Sequence, residues 1–362
     1  MRSGEDVVAP LRSASHGTAW RCRWTATLSL AAAGAVLLAA VARAGGADAW
    51  QSITRANGLP GDDVQVIEID PDGVVWIGTL NGLARQAGGK LTVLPGPDGK
   101  PMPHQVWDVL RVDKDTHWIG TSKGAIRLSA GRQETFLQGK EVAQILPFGK
   151  DRLIAKAGQA VMVFDGKEWK EHEFFKGKRV EILTPASDGT VWVTVEADGV
   201  FTLDPAKSDP PVQHLRGTGV KTVLEDAQKR IWAGTWYKGV MVHDGKTWAR
   251  HLAEEKSYVL SMRQDAKGNV WVATSAHGLY RHDGAQWVND LREEGSINML
   301  EVTRDGRVWI SSQSNGGLRC WDGQAWRVSL DSPLPIRCLA EAADGTIWAG
   351  GVLDGVHVLK GK

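Results

Sequence analysis

The 362-residue chain has no excess of charge of either sign, because 43 lysine and arginine residues stand against 42 aspartate and glutamate residues. Proteins that bind a phosphate backbone or an anionic membrane surface carry a basic excess, and a formal net charge of +1 provides none. We therefore expect no nucleic-acid partner. Residues 50 to 362 are enough to bury a sizeable core.

Cysteine is scarce, with three residues at positions 22, 320 and 338, and no Cys-x-x-Cys pair occurs. The histidines after residue 50 are scattered singly, without a His-x-His or His-Glu-x-x-His pattern, and there is no phosphate-binding loop. The sequence thus lacks the spacings typical of metal and nucleotide sites. We expect no metal and no cofactor.

Long apolar runs are also missing, with one exception near the N-terminus. Thr25 to Val41 is a run of 17 uncharged residues preceded by Arg21 and Arg23, and Ala42-Arg-Ala44 or Ala47-Asp-Ala49 then offers small residues for cleavage. This pattern is typical of a secretory signal, and it is short for a membrane span of roughly 20 residues. Residues 1–49 are therefore predicted to be a cleaved signal peptide. The alternative is a single N-terminal membrane anchor over residues 25–41, and in both cases the protein is expected to be periplasmic or secreted.

What the chain has in abundance is tryptophan at a fixed interval. The interval is 38 to 42 residues, with one double-length gap in which Leu153 takes the tryptophan position, and the series is Trp76, Trp118, Trp192, Trp232, Trp271, Trp309 and Trp348. A period of this length is typical of stacked repeat architectures. The spacing predicts eight units.

Each unit contains the signals for four short strands. An aliphatic residue twelve positions before the tryptophan begins an apolar run, as at Val64, and an Asp-Gly pair such as Asp72-Gly73 supplies the tight turn before the tryptophan strand. A Gly-Leu or Gly-Val pair opens the third strand, and a second Asp-Gly pair, as at Asp165-Gly166, leads into the fourth. Four consecutive antiparallel strands in about forty residues make one propeller blade.

The predicted fold is therefore all-β, a single eight-bladed β-propeller over residues 50–362. Its blades are placed at 64–94, 106–137, 142–174, 180–214, 219–252, 257–291, 297–330 and 336–360, the last completed by 49–53. The last unit ends after its third strand, and Asp48 to Ile53 matches the missing fourth strand, so the N-terminal strand is expected to close the ring. Seven blades is the alternative, because the third unit has lost its tryptophan.

The string from Asp72 to Leu83, Asp-Gly-Val-Val-Trp-Ile-Gly-Thr-Leu-Asn-Gly-Leu, resembles the two-component regulator propeller repeat. That family occurs in periplasmic sensor regions of bacterial hybrid histidine kinases, so the resemblance implies recognition outside the cytoplasm, often with signalling. This chain shows no kinase module after its last blade, and a signal would pass through another protein. The Asp-Gly-x-x-Trp hairpins also resemble those of streptogramin-lyase-like propellers, which implies an enzyme as the alternative.

Candidate binding residues lie in the loops between the second and third strands, which differ from unit to unit while their flanks repeat. Trp236, Tyr237 and Lys238 are extra to the repeat, and with His277 of the next unit they could hold a sugar ring or a partner peptide. Capping the end of blade 5 is the alternative role for the two aromatic residues. Further polar candidates come from the other loops and from the starts of the first strands: Asn81, Lys123, Asn315, Asp354, Tyr258 and Arg337.

These features favour non-catalytic recognition of a polysaccharide-like ligand or of a membrane sensor protein, with no catalytic residue. If the chain is lyase-like instead, His277 with Glu196 and Asp354 offers the best set of base and acidic groups. A purely structural scaffold is the third alternative.

Overall fold

The computed structural model describes residues 49–99, 102, 104–207, 209–254 and 256–361. Almost all of the predicted signal or anchor segment lies outside these residues. The described residues form eight four-stranded antiparallel sheets, which confirms the eight-bladed propeller. The seven-bladed alternative is wrong, because the third unit forms a complete sheet with Leu153 opening its second strand.

In blades 1 to 7 the strands follow the chain from the inside of the ring to the outside. Blade 1 comprises Val64–Ile69, Val75–Thr79, Gly82–Ala87 and Lys90–Val93, and blade 2 comprises Val106–Arg111, Thr116–Thr121, Gly124–Ser129 and Arg132–Phe136. Blade 3 comprises Val142–Pro147, Leu153–Ala157, Ala160–Phe164 and Trp169–Glu171, and blade 4 comprises Val180–Pro185, Val191–Val195, Gly199–Leu203 and Val212–His214. Blade 5 comprises Val220–Glu225, Ile231–Thr235, Val240–His243 and Trp248–His251. Blade 6 comprises Val259–Gln264, Val270–Thr274, Leu279–His282 and Trp287–Asn289, and blade 7 comprises Ile297–Val302, Val308–Ser312, Gly316–Trp321 and Trp326–Leu330.

Blade 8 closes the ring with strands from both ends of the propeller. Its first three strands are Ile336–Glu341, Ile347–Gly351 and Val356–Leu359, and its fourth is Trp50–Ile53, which pairs antiparallel with the third. Trp50 lies opposite Leu359 and Ile53 opposite Val356. The predicted closure by the N-terminal strand is therefore confirmed. Within the described residues, three short 3₁₀ helices lie in connections between blades: Arg55–Asn57, Glu173–Phe175 and Arg292–Glu294.

Turn chemistry and a repeated bulge explain the shape of each blade. The glycines of the first Asp-Gly turns have positive φ, as at Gly73 with φ 80°, and so do those of the second, as at Gly166 with φ 97°. A glycine adopts this conformation without a Cβ penalty. Every first strand also changes register after its first residue, as between Val64 and Val66, which adds twist where the strands converge on the axis.

The core lies between blades. All seven repeat tryptophans are at most 6% exposed. The core is divided into separate clusters, each of which combines residues of neighbouring blades, as where Trp76 and Leu83 pack with Val106 and Ile119. A sheet with two apolar faces must pack between two other sheets, and the closed ring buries both faces of every blade.

Two faces of the ring follow from this topology. The loops between second and third strands, and the connections from each fourth strand to the next blade, lie on one face, here called the loop face. The hairpins between first and second strands and between third and fourth strands lie on the opposite face, here called the hairpin face.

Candidate functional site

The threonine of the Trp-Ile-Gly-Thr motif fixes the backbone of the loop face. Thr79 Oγ1 accepts a hydrogen bond from the Asn81 N–H at 3.1 Å and donates to the Gly82 carbonyl at 3.1 Å. Thr121, Thr235 and Thr274 donate to the equivalent glycine carbonyls at 2.8, 2.8 and 3.0 Å. The loop backbone is therefore held by the same hydrogen bond in four blades, and the side chains at its tip are free to differ.

The glycine before that threonine allows neighbouring blades to approach closely. A Cβ at Gly78 would lie 2.7 Å from Val106 Cγ1 in blade 2, and one at Gly350 would lie 2.6 Å from Val64 Cγ1 across the ring closure. Both distances are shorter than side-chain packing permits. The motif thus serves blade packing and loop geometry together.

Trp236 packs over the start of blade 5. The backbone N–H of Trp236 donates to the Gly219 carbonyl at 3.0 Å, and a Cβ on Gly219 would lie 2.8 Å from the indole Cδ2. The indole is half-buried, and its centroid is 5.9 Å from that of Tyr258 in blade 6. Trp236 therefore covers the blade end and supports the neighbouring aromatic ring.

Tyr237 and Tyr258 form an aromatic pair across two blades. Their ring centroids are 4.9 Å apart, and the Tyr237 hydroxyl donates to the Tyr258 hydroxyl at 2.7 Å. This hydrogen bond raises the pKa of Tyr237. The Tyr237 side chain is nevertheless open to solvent, since the residue is 57% exposed. An exposed ring held in place by a second ring and a hydrogen bond is a preorganised stacking surface.

Two further predicted residues flank this pair. Lys238 is exposed, and its Nζ donates to Thr218 Oγ1 at 3.2 Å. His277 is exposed in the adjacent loop, whose first residue, Ser275, exchanges two hydrogen bonds with the backbone of Tyr258 at 2.9 and 3.1 Å. We call Trp236, Tyr237, Lys238, Tyr258 and His277 the aromatic patch. Its members come from blades 5 and 6.

The remaining loop candidates are spread around the face. Asn81 and Lys123 are exposed at the loop tips of blades 1 and 2. Asn315 in blade 7 donates through Nδ2 to Glu294 Oε2 at 2.8 Å. That glutamate is buried and also accepts from Arg319 at 2.9 Å, so Asn315 is part of a structural network. The sequence reading missed Glu294, which lies in an irregular connection without a repeat position.

Asp354 belongs to a hydrogen-bonded relay at the ring closure. It accepts from Ser332 Oγ at 2.8 Å and from His357 Nε2 at 3.0 Å, and these hydrogen bonds, that of His357 first, lower the pKa of Asp354 despite its burial. His357 Nδ1 is 3.0 Å from Ser52 Oγ on the N-terminal strand. The relay therefore joins both ends of the propeller. These contacts give Asp354 a structural role.

Arg337 is paired across the closure with Asp63 at 3.3 Å. Burial raises the pKa of Asp63, and the Arg337 guanidinium offsets only part of that effect. Similar pairs join equivalent positions on the first strands of neighbouring blades, Lys221 to Glu181 at 3.1 Å and Arg263 to Glu301 at 2.7 Å. These pairs were not predicted, although Glu181 and Lys221 share the bulge position with Arg337.

The two carboxylates of the lyase-like set have partners within their own part of the ring. Glu196 accepts from Arg179 Nε at 2.7 Å in blade 4, and Asp354 is bound by Ser332 and His357 near blade 8. His277 lies in blade 6, between these two. The arrangement supports structural roles for the carboxylates, and a ligand spanning the channel would be needed to join all three.

No group of three or more histidine, cysteine, aspartate or glutamate side chains in the described part of the chain is arranged to hold a metal ion. In the same residues, no helix has the length and apolar character required to cross a membrane.

Comparison with known proteins supports the repeat assignment. Residues 58–81 match the family model described as two component regulator propeller, which confirms the resemblance of the first unit. No curated protein matches the chain in sequence. The molecule is thus an eight-bladed propeller that carries a two-component regulator propeller repeat.

Several solved structures share the fold. The extracellular domain of the putative one component system BT4673 from B. thetaiotaomicron is 15% identical, with a TM-score of 0.52 over 83% of this chain and 51% of that one. Virginiamycin B lyase from Staphylococcus aureus is 12% identical, with a TM-score of 0.54 over 86% and 99%. YCF48 from Cyanidioschyzon merolae is 13% identical, with a TM-score of 0.55 over 86% and 99%. This chain spans about half the length of the BT4673 domain, and these identities establish the fold alone.

Proposed function

We propose that this propeller is a non-catalytic recognition module that works outside the cytoplasm, in the periplasm or after secretion. It binds a polysaccharide-like ligand at the aromatic patch and passes the signal to a membrane sensor protein. The match to the two-component regulator propeller repeat and the likeness to the extracellular BT4673 domain support this class of function.

The observation that carries the proposal is the pair Tyr237–Tyr258. An aromatic ring that is exposed to water contributes no burial to the stability of the unbound protein. Among the large exposed apolar side chains of the described residues, Tyr237 is the one aromatic residue. The hydrogen bond between the two hydroxyls fixes the ring in place at 2.7 Å. Sugar rings stack on such aromatic faces, and the neighbouring Lys238 and His277 offer polar contacts.

A thermal-shift screen of the full-length protein against soluble oligosaccharides tests the proposal. A ligand at 100 times its dissociation constant stabilises the folded state by about 2.7 kcal/mol. We expect one glycan class to give a saturable shift that Tyr237→Ala reduces, because aromatic stacking of about 0.5–1.5 kcal/mol is lost.

Leu353→Ala is the matched control. Leu353 is 65% exposed on the loop of blade 8, so this variant removes an apolar side chain from the same face but far from the patch. It should leave the glycan shift unchanged. Equal effects of the two substitutions, or no shift with any glycan, would contradict the proposed site.

A further inference from the structure

A cleft on the hairpin face separates blades 4 and 5. It has a volume of about 550 Å³ and is bounded by the hairpins that contain Ala186 and Lys229, by Asp204 and Lys207, and by residues 209–212. Binding sites for small molecules typically enclose roughly 300–1,000 Å³. The cleft is on the opposite face from the aromatic patch, so it is a separate candidate site.

A departure from the repeat creates this cleft. In blades 1, 5 and 6 an aspartate six residues before the repeat tryptophan accepts its indole N–H, with distances of 2.9, 2.7 and 2.9 Å. In blade 7 the hydroxyl of Thr303 accepts it at 3.2 Å. Blade 4 has Ala186 at this position, and its methyl group can neither accept the hydrogen bond nor fill the space.

The indole of Trp192 is therefore left with an unused donor that faces the cleft. Trp192 is 6% exposed, and within the described residues its Nε1–H has no hydrogen-bond partner. Trp192 and Ala186 both line the cleft, and in blades 1, 5, 6 and 7 the indole N–H donates to the side chain at the position equivalent to Ala186. This N–H is open to the cleft, where a ligand oxygen can accept its hydrogen bond in place of water.

Two other blades also lack the acceptor but fill or cover the position. Blade 2 has Val112, a larger aliphatic side chain. Blade 8 has Ala342. The backbone N–H of Gly361, after the third strand, donates to Oγ1 of Thr346 at 3.3 Å, and Thr346 lies in the same hairpin as Ala342. Blade 4 differs because the loop beyond its third strand stands beside the cleft and leaves it open.

The lining is negatively charged, with four carboxylates and two ammonium groups. Lys207 pairs with Asp204 at 3.1 Å, and Lys229 pairs with Glu225 at 3.5 Å. Within the part of the chain that the structure describes, Asp188 and Asp209 form no ion pair. These two carboxylates leave the cleft with an uncompensated charge suited to a cation.

The remaining wall is apolar and rigid. Pro210 and Pro211 line the cleft beside Val212, which is 58% exposed. Prolines have fixed φ and lose little entropy when a ligand packs on them. The wall suits the carbon skeleton of a small molecule, and the carboxylates and the indole N–H suit its polar groups.

We propose that this cleft binds a small organic amine that carries a hydroxyl or carbonyl oxygen near its ammonium group, such as an amino sugar or an amino acid derivative. The ammonium group pairs with Asp188 and Asp209, the carbon skeleton lies on Pro210 and Pro211, and the oxygen accepts the Trp192 indole N–H. This site is independent of the proposed function at the aromatic patch.

Ligand-observed NMR and calorimetry with the full-length protein test the proposal. The probes are D-glucosamine and L-arginine amide, with N-acetylglucosamine as the uncharged counterpart. We expect the two amines to bind saturably and N-acetylglucosamine to bind at least about tenfold more weakly, because it lacks the charge that pairs with the carboxylates.

Ala186→Asn is the decisive variant, because its amide has the shape of the aspartate that blades 1, 5 and 6 carry and adds no charge to the cleft. The amide oxygen accepts the Trp192 indole N–H and the side chain occupies the cleft, so amine binding should fall by about tenfold or more while the fold is retained. Ala342→Asn makes the same change in blade 8 and should leave amine binding unchanged.

Asp209→Asn provides a second variant at a surface loop, where folding is not at risk, and it should weaken amine binding severalfold. Absence of amine binding to the wild-type protein overturns the proposal. So does amine binding that persists at full strength in Ala186→Asn, because it places the amines elsewhere. Loss of glycan binding at the aromatic patch has no bearing on either result, so the two proposals fail separately.

Discussion

Trp76 donates its indole N–H to Asp70 Oδ2 at 2.9 Å, and the same oxygen accepts a hydrogen bond from His117 Nε2 of the next blade at 3.0 Å. The rings of Trp76 and His117 lie 4.4 Å apart. Burial acts to raise the pKa of Asp70, but the hydrogen bonds from His117 and Trp76 outweigh it and lower the pKa. One carboxylate thus ties a turn, a repeat tryptophan and a neighbouring blade together.

Asp70→Ala is expected to lower the free energy of unfolding by about 1–3 kcal/mol, because it leaves the buried donors of Trp76 and His117 without an acceptor. Urea denaturation of the wild-type and variant proteins measures this change. Asp72→Ala is the matched control from the same turn. The Asp72 side chain is 59% exposed and pairs only with Arg111 at the surface, so its loss should cost less than about 1 kcal/mol. Equal losses would contradict the role given to Asp70.

The second Asp-Gly turn makes a prediction about acid titration. Asp165 accepts hydrogen bonds from the backbone N–H groups of Glu168 and Lys167, both at 3.0 Å, and these lower its pKa to about 2. A carboxyl group with a lowered folded-state pKa stabilises the fold above its unfolded value of 3.8, and this contribution disappears as the pH falls through the folded value.

Carboxyl-carbon NMR across pH 1.5 to 6, chosen as roughly two units around the ordinary aspartate pKa, measures the Asp165 titration directly. Asp244, Asp283 and Asp322 occupy the same turn position, accept the same pair of backbone N–H groups and should also titrate below the ordinary value. A midpoint near 4 for Asp165 would show that the turn hydrogen bonds do not persist in solution.

Ring closure depends on Trp50 as well as on strand pairing. Its indole N–H donates to the Ser329 carbonyl at 3.0 Å, and its ring meets Trp309 edge-on with centroids 6.1 Å apart. Trp50→Ala should cost about 2 kcal/mol or more, because it opens a cavity and removes this hydrogen bond. Hydrogen exchange of the amides in Val356–Leu359, the strand that pairs with it, should become faster.

Gln51→Ala changes an exposed neighbour on the same strand and is the control for the closure prediction. Its exchange rates in Val356–Leu359 should match those of the wild-type protein. Unchanged protection in Trp50→Ala would mean that the strand pairing alone holds the ring together.

The fold was predictable because the repeat displays it many times. The tryptophan interval, the Asp-Gly turns and the unmatched fourth strand at Asp48 to Ile53 can each be recognised from local sequence. Because the unit occurs eight times, a departure in one copy does not hide the pattern. Even the third unit, where Leu153 replaces tryptophan, forms a blade because its neighbours supply the packing surface. Trp118 of blade 2 packs against Phe164 and Trp169 of this third blade.

The sites were less predictable because they depend on contacts between units. The spacing placed Tyr237 and Tyr258 on the same face, but no sequence pattern shows that their hydroxyls form a hydrogen bond. The acceptor role of the position six residues before the tryptophan was also not predicted, although Asp70, Asp226 and Asp265 repeat there. At that position Val112, Ala186 and Ala342 stand apart from the units that carry an acceptor.

Ligand binding at the aromatic patch is tested most directly by calorimetric titration of the best glycan with a double-mutant cycle of Tyr237→Ala and Tyr258→Ala. We expect each substitution to weaken binding and the pair to be coupled by about 0.5–1.5 kcal/mol, because Tyr258 acts by holding the Tyr237 ring in place. Wild-type affinity in both single variants would contradict the claim.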